Sequence, residues 1–258
     1  MDLPGVQSSV LEALQGAARA LGISSLALVG GVVRDQLLHQ RCDRAWSGVP
    51  DLDWVVEGDA AALVEELGRQ LGSNRISDVQ EHGAFGTVAF QLDGIPLDLA
   101  MARQEHYPGP AENPVVRAGT LQADLARRDF TINAMARDLV AGELIDLHHG
   151  QEDLASGQLR FLHGSSVHDD PTRVIRAARY AARLGFQLAE ESRAQIRSTV
   201  AQWPWPWASG DAVLSAPPAL ASRLRMELER LLEREPWAAA LDLLAEWQAL
   251  PLLDPQLQ

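Results

Sequence analysis

Apolar residues at helical spacing open the chain. Val10, Leu11, Leu14, Ala17, Ala18 and Leu21 share one side of a helix over 8–21, which Gly22 stops. A short apolar run at 25–29 reads as a strand leading into Gly30-Gly31, and a helix follows over 32–39. The same patterning predicts a strand at 52–56, a helix at 59–71 closed by Gly72, and strands at 86–92 and 95–101 joined by an Asp93-Gly94 hairpin turn. A Pro-rich loop at 107–119 and a mostly polar helix then lead to Thr131-Ile132-Asn133-Ala134. Beyond Gly150 the strand signals stop, and helices are expected over 171–184, 190–200, 219–232 and 236–250. A mixed α/β front half followed by a helical back half predicts two structural units.

Composition narrows the class. With 258 residues and 47% hydrophobic content, the chain can build real cores and is not disordered. It has no run of eighteen apolar residues and no basic leader ahead of an apolar stretch, so the expectation is a cytosolic protein without a membrane span. The single cysteine, Cys42, excludes a disulfide framework and a multi-cysteine zinc site. A net charge of −13 makes the average surface repel phosphate. The basic residues are nevertheless all Arg, and residues 160–197 hold seven of them against four acids. Arg is the side chain suited to forked recognition of phosphate and base edges.

Asp51-Leu52-Asp53-Trp54-Val55-Val56 carries the strongest local signal. On a strand, Asp51 and Asp53 point to one face, about 6–7 Å apart at the backbone, while Leu52 faces the other way. Adjacent carboxylates repel unless a cation lies between them, and Mg²⁺ suits carboxylate and phosphate oxygen. The alternative is a turn cap at Asp51 and a solvated Asp53. Gly30-Gly31-Val32-Val33-Arg34-Asp35 sets bare backbone N–H groups at a helix start, a phosphate cradle that Arg34 can reach; an empty strand-to-helix turn is the other reading. Asp98 lies opposite Leu97, Leu99 and Met101 in its strand and could complete a three-carboxylate site. After His168-Asp169-Asp170-Pro171, with Asp170 as N-cap and Pro171 as first helical residue, Arg173, Arg176, Arg179 and Arg183 form a stripe opposite an apolar one. Such a stripe is either a solvated face or a set of like charges awaiting an anion or an acid.

GGVVRD, DLDWVV, LDLAMARQEHY, LARRDFTINAMA and DDPTRVIRAARYAARLGF occur in that order. Together they resemble the class II tRNA nucleotidyltransferase / bacterial poly(A) polymerase family, the CCA-adding enzymes, from about Leu26 to Glu191. The resemblance implies an α+β fold: a polymerase-β-like nucleotidyltransferase head at 1–146 (mixed sheet with flanking helices), an all-helical neck at 147–215, and the truncated start of a helical body at 216–258. It implies metal ligation by Asp51 and Asp53, with Asp98 as a weaker third carboxylate. Gly30, Gly31, Arg34 and Arg128 fall at the nucleotide triphosphate, and Asp170, Arg173, Arg176 and Arg179 at the incoming base and triphosphate. The implied activity is template-independent addition of C and/or A from CTP and ATP to the tRNA 3′ end with Mg²⁺, releasing pyrophosphate. No membrane or DNA partner is expected.

Base choice has a physical rationale in that setting. A carboxylate beside a guanidinium matches the donor–acceptor order of cytosine and adenine and opposes that of uracil and guanine. Within the family the alternatives are CC-adding, A-adding and poly(A)-forming activity, and His82-Gly83-Ala84-Phe85-Gly86-Thr87-Val88 favours a tRNA-directed branch. Outside it, the alternative is a non-catalytic nucleotide- or RNA-binding fragment. Residues 39–50 exceed the compact family pattern and are expected to form a surface loop. Trp203-Pro204-Trp205-Pro206-Trp207 reads either as a platform for RNA bases or as a loop packing its indoles on the neck. His148-His149 and His163 with His168-Asp169 lack convincing spacing for a metal phosphohydrolase.

Overall fold

The computed structural model describes residues 3–42, 44–46, 51–82, 86–202, 218–234, 236–254 and 257. In chain order its elements begin with α1 (Ser8–Ala20), β1 (Leu26–Val29), α2 (Gly31–Cys42), β2 (Leu52–Val56), α3 (Ala60–Leu71), β3 (Ile76–His82), β4 (Thr87–Leu92) and β5 (Ile95–Met101). They continue with β6 (Arg103–His106), β7 (Val115–Ala118), α4 (Leu121–Ala126), β8 (Ala136–Asp138), β9 (Leu144–Ile145) and α5 (Gly150–Ser156). The remainder is β10 (Gln158–Leu159), α6 (Ser166–Asp169), α7 (Thr172–Leu184), β11 (Gln187–Leu188), α8 (Glu190–Gln202), α9 (Pro218–Arg234) and α10 (Trp237–Glu246). Two compact units result. One comprises Met1–Gln104, Val116–Arg128 and Ile132–Gln151; the other comprises Glu105–Val115, Asp129–Thr131 and Glu152–Gln258.

The first unit is built on a mixed seven-stranded sheet in the order β3-β4-β5-β2-β1-β8-β9. β2 and β5 run parallel, while the other paired neighbours are antiparallel. Register puts Leu26, Leu28, Leu52, Trp54, Val56, Leu97, Leu99, Val88 and Phe90 on one face, and all nine are buried. α1 and α3 pack together and turn Leu14, Ala17, Ala18, Leu63 and Leu67 inward. On the opposite face Ala27, Val29, Val55 and Ala136 form a smaller cluster with Ala102 and with Leu121 and Leu125 of α4. This cover stops short of Asp53 and Asp98, so both carboxylates reach solvent.

Local chemistry explains the boundaries. Asp59 caps α3 by accepting the Ala61 and Ala62 N–H groups. Asp93 and Gly94 both take positive φ, as a two-residue hairpin turn requires. Thr120 caps α4 through the Ala123 N–H at 3.2 Å. Several elements differ from the sequence expectation. α2 runs on to Cys42, into the stretch expected as loop, and residues 43 and 47–50 of that stretch lie outside the described residues. β3 has a half-buried first residue and six exposed ones, so it offers no alternation to read. β7 occupies the end of the expected Pro-rich loop and pairs with β6.

The second unit is mostly helical, with α7 packed against α9 and α10. One parallel pair of two-residue strands, β10 with β11, brackets α6 and α7. Phe130 stacks on Phe161 at 5.4 Å and meets the Tyr180 ring edge-on at 5.6 Å. The Trp-Pro stretch at 203–207 lies outside the described residues, as do 83–85.

Gly119 tests the packing of the first unit. Its N–H donates to Ala102 O at 2.8 Å, and a Cβ there would stand 2.9 Å from the Arg103 carbonyl carbon and the Gln104 nitrogen. Backbone cannot step aside as a side-chain tip does. Gly119→Ala is expected to cost about 1–3 kcal/mol in urea denaturation, whereas Gly142→Ala, with nothing near its Cβ, is expected to cost only its positive-φ strain.

Candidate active site

In the first unit the acids converge through strand register. Asp53 of β2 pairs directly with Asp98 of β5, and adjacent strands lie about 4.8 Å apart. Asp51 stands just before β2 and acts on Asp53 electrostatically. The Asp53 pKa is raised: burial of its surroundings is the largest cause, and Asp98 and Asp51 add to it, while Arg128 works the other way. Asp53 is exposed at the surface of the sheet. Among the described residues, no three His, Cys, Asp or Glu side chains close into a finished metal cage. The chemistry of this open set still suits Mg²⁺, which binds through one or two carboxylates and leaves positions for water and phosphate.

Arg128 acts electrostatically on Asp53 from beside the Gly30 turn. Gly30 has φ +74°, and a Cβ on it would meet Arg128 Nη1 at 3.0 Å. Glycine therefore serves twice here, for backbone hand and for access. Arg128 is aimed by Asp124, a fully buried acid that sequence reasoning missed. Asp124 Oδ2 accepts Arg128 Nη2 at 2.9 Å, and its Oδ1 accepts Arg127 Nη2 at 2.7 Å and Nε at 3.0 Å. Burial alone would raise the Asp124 pKa, but Arg128 and Arg127 outweigh it and hold the group below its usual value.

Arg34 lies beside the Gly30-Gly31 turn and is 3% exposed. Its Nε and Nη2 fork onto Asp35 at 2.8 and 3.0 Å, and Nη1 donates to Asn133 Oδ1 at 2.7 Å. Asp35 and Asn133 thus hold the guanidinium beside the turn that starts α2.

The second unit assembles the remaining candidates. Asp170 precedes α7, which begins at Thr172, one residue later than the sequence suggested. The capping contact survives: Asp170 Oδ1 accepts the Thr172 N–H at 3.1 Å and its hydroxyl at 2.6 Å. Asp170 Oδ2 pairs with Arg223 Nη1 of α9 at 2.9 Å. Arg223 Nη2 also donates to the carbonyls of Ala111 and Glu112 at 2.7 and 3.0 Å. Tyr107 sits among these charges. Its pKa is raised chiefly by burial and further by Glu105 and Asp170, with Arg173 and Arg223 opposing.

The arginine stripe on α7 is not a solvated face. Arg173 and Arg179 are buried, at 4% and 8% exposure. Glu227 of α9, wholly buried, binds Arg176 Nε and Nη2 at 2.9 and 2.8 Å and also pairs with Arg179 Nη1. Asp129 accepts Arg176 Nη1 at 3.1 Å. The acid partner that four like charges require thus comes from a helix 51 residues further on. Arg183 leaves the network and lies over the Tyr180 ring at 4.6 Å. Arg173 approaches His163 Nε2 at 3.5 Å. Glu227 and Arg223 were both missed from sequence.

A carboxylate pair on a mixed sheet, beside a glycine turn opening a helix, defines a nucleotidyltransferase-type head. The Poly A polymerase head domain family matches residues 26–160, and the chain belongs to that family. It is 42% identical over 210 residues to the CC-adding tRNA nucleotidyltransferase of Deinococcus radiodurans, covering 78% of this chain and 53% of that protein. It is also 42% identical over 176 residues to the A-adding tRNA nucleotidyltransferase of Aquifex aeolicus, covering 67% and 20% respectively. Among solved structures, a tRNA nucleotidyltransferase complexed with a primer tRNA and an incoming ATP analog superposes with TM-score 0.74 at 32% identity, covering 95% of this chain and 63% of that one. The chain spans about half or less of the length of the two curated relatives.

Two stability measurements follow from these networks. Because the Asp53 pKa is raised in the folded state, its carboxylate favours folding only below the unfolded value and opposes it once ionised. Asp53→Asn is therefore expected to raise the melting temperature of metal-free protein at neutral pH, with the gain vanishing as pH falls through the carboxylate range. Glu227→Ala leaves Arg176 and Arg179 without their shared acid and is expected to cost about 3–5 kcal/mol, read by urea denaturation of the intact chain. A loss near zero would show that the buried pairs contribute nothing.

Proposed function

We propose that the chain is a template-independent RNA nucleotidyltransferase that adds C and/or A, from CTP and ATP, to the 3′ end of tRNA. The observation that carries this reading is the Asp53–Asp98 register pair beside Gly30 and Arg128, in a chain similar to tRNA nucleotidyltransferases over most of its length. The segmentation that goes with it is a head at 1–146, a neck at 147–215 and the start of a body at 216–258. The cytoplasm is the compartment that fits a tRNA substrate; among the described residues no helix is long and apolar enough to cross a membrane.

Mechanism follows from what each side chain can do. Asp51 and Asp53 would hold Mg²⁺, which when bound would supply charge that lowers the pKa of the attacking hydroxyl and stabilises the leaving pyrophosphate. Asp98, one strand over from Asp53, orients the tRNA 3′-hydroxyl and accepts its proton as the oxygen attacks the α-phosphate in line. Arg128, aimed by Asp124, offers its outer edge to the triphosphate. Gly30 and Gly31 leave the start of α2 clear for phosphate oxygens. Arg34, braced beside that turn by Asp35 and Asn133, adds positive charge for the triphosphate.

Recognition of the base falls to Asp170 and Arg173, with Arg176 and Arg179 on the triphosphate side. Both Asp170 oxygens already accept protein donors, but an ionised carboxylate has about four acceptor sites. It can therefore also take the exocyclic amino group of cytosine or adenine while Arg173 donates to the ring nitrogen. Uracil and guanine would meet donor with donor and acceptor with acceptor, and the unpaired groups oppose binding.

One assay tests the reading and its relatives. The protein is incubated with labelled CTP, ATP, GTP or UTP and with tRNA lacking the whole 3′ CCA, lacking only the terminal A, or complete. Restored CCA, CC alone, A alone or a long A tract identifies the activity; no product with any pair rejects catalysis and leaves a binding fragment. Asp53→Ala is expected to lower incorporation by at least about a hundredfold while sparing tRNA binding in a filter assay. Arg173→Gln is expected to admit UTP or GTP, and unchanged discrimination would remove Arg173 from base choice.

A further inference from the structure

The acid-bearing face of the sheet continues past Asp98. By register, Ala89 of β4 pairs with Asp98 of β5, and Gln80 of β3 pairs with Ala89. Gln80, Ala89, Asp98 and Asp53 therefore stand in one row across four adjacent strands, about 4.8 Å apart at each step. Thr87 and Gln91, two residues either side of Ala89, project to the same face. His82 pairs with Thr87, and Ser77 with Gln91. Val88, Phe90 and Leu92 turn to the opposite face and are buried, whereas Thr87, Ala89 and Gln91 are half-buried and Gln80 and His82 exposed. The apolar cluster under α4 draws on β1, β2 and β8 and, among the described residues, leaves β3 and β4 outside it. The result is an open shelf beside the acids.

Its composition is selective. Ser77, Gln80, Thr87, Ala89 and Gln91 are neutral, and of the six shelf residues only His82 can titrate near neutral pH. That neutrality depends on a bulge. Regular alternation from Ser77 would put Val79 and Glu81 on this face. The register shift between Ser77 and Gln80, where Asp78 takes φ +54°, brings Gln80 and His82 there instead and pairs Glu81 with Val88 on the other side. A further carboxylate is thereby kept away from Asp98 and Asp53, and a neutral amide stands in its place.

The occupant follows from the strand order, resting on the catalytic reading above. In-line transfer puts the attacking and leaving oxygens on opposite sides of the phosphorus. The glycine turn and Arg128, assigned to the triphosphate, lie on the β1 side of Asp53: β1 runs into Gly30, and a Cβ on Gly30 would meet Arg128 Nη1 at 3.0 Å. Asp98, assigned to the attacking hydroxyl, lies on the β5 side. The nucleotide that carries this hydroxyl must then extend away from the triphosphate, across β4 toward β3. We propose that Ala89, Gln80 and Gln91 form the subsite for the last nucleotide of the RNA primer. Its ribose lies over Ala89, where a lone methyl group leaves room for it one strand from Asp98. Gln80 and Gln91 offer amide donors and acceptors to the ribose 2′-hydroxyl and the base edge.

The test uses the whole chain and a tRNA lacking its terminal A, with photoreactive 4-thiouridine as its last nucleotide. Irradiation and peptide mass spectrometry are expected to place the crosslink on Gln80, Ala89 or Gln91, whether or not the chain extends the primer. Gln80→Glu and Ala89→Leu, both on the uncovered face, are expected to weaken that crosslink. In steady-state assays with unmodified primer they are expected to raise the KM for tRNA about tenfold and to leave the KM for the nucleotide triphosphate unchanged. Glu81→Gln, on the opposite face, is expected to change neither. A primer that crosslinks to the shelf without being extended by any triphosphate rejects the catalytic reading and keeps the shelf as an RNA site. Crosslinks elsewhere or none, or an unchanged KM for tRNA in both variants, overturn the proposal.

Discussion

Two carboxylates held side by side against their mutual repulsion are the constraint on which the catalytic reading depends. The parallel pairing of β2 with β5 puts Asp53 opposite Asp98, and a one-residue slip would send one of them into the buried face among Leu52, Trp54, Leu97 and Leu99. The hydrophobic face thus fixes the position of the acids: the large apolar side chains set the register, and the register sets the spacing of charge. Burial first, and Asp98 and Asp51 after it, raise the Asp53 pKa against the pull of Arg128. A site that is electrostatically unfavourable when empty is one that gains when a cation arrives.

The second unit solves the reverse problem. Here positive charges crowd on one helix, and the fold supplies the acids within the protein. Glu227 and Asp129 neutralise Arg176, and Glu227 also takes Arg179, while Arg223 takes up Asp170. Buried ion pairs of this kind hold side chains in one geometry more than they add stability. That suits residues whose proposed work is to present fixed donors and acceptors to a base. Asp124 has the same relation to Arg128 in the first unit.

Much of this was legible in the sequence because it follows from local pattern. Alternation placed β2, β4 and β5, and the Asp93-Gly94 turn joined two of them, while β2 begins at Leu52 and leaves Asp51 just ahead of the strand. What escaped had no local signature. β3 is an edge strand with its residues turned to water, so its hydrophobicity carries no period. β9, β10 and β11 have two residues each, too short for alternation to register. Asp124 and Glu227 look like ordinary polar residues of exposed helices. Asp124 did offer a clue in its spacing of three and four residues from Arg127 and Arg128. Glu227 offered none, since its partners lie on another helix. The arginine stripe was visible, but whether water or an acid faced it depended on α9.

The reach from Glu227 back to α7 has a bearing on how the chain is made. Synthesis delivers Arg176 and Arg179 about fifty residues before Glu227, so until α9 has emerged Arg176 has only Asp129, already made, to pair with. Closing a loop of that length is slow compared with forming a helix. The contact of α7 with α9 is therefore among the later ones to form as the helical unit is made.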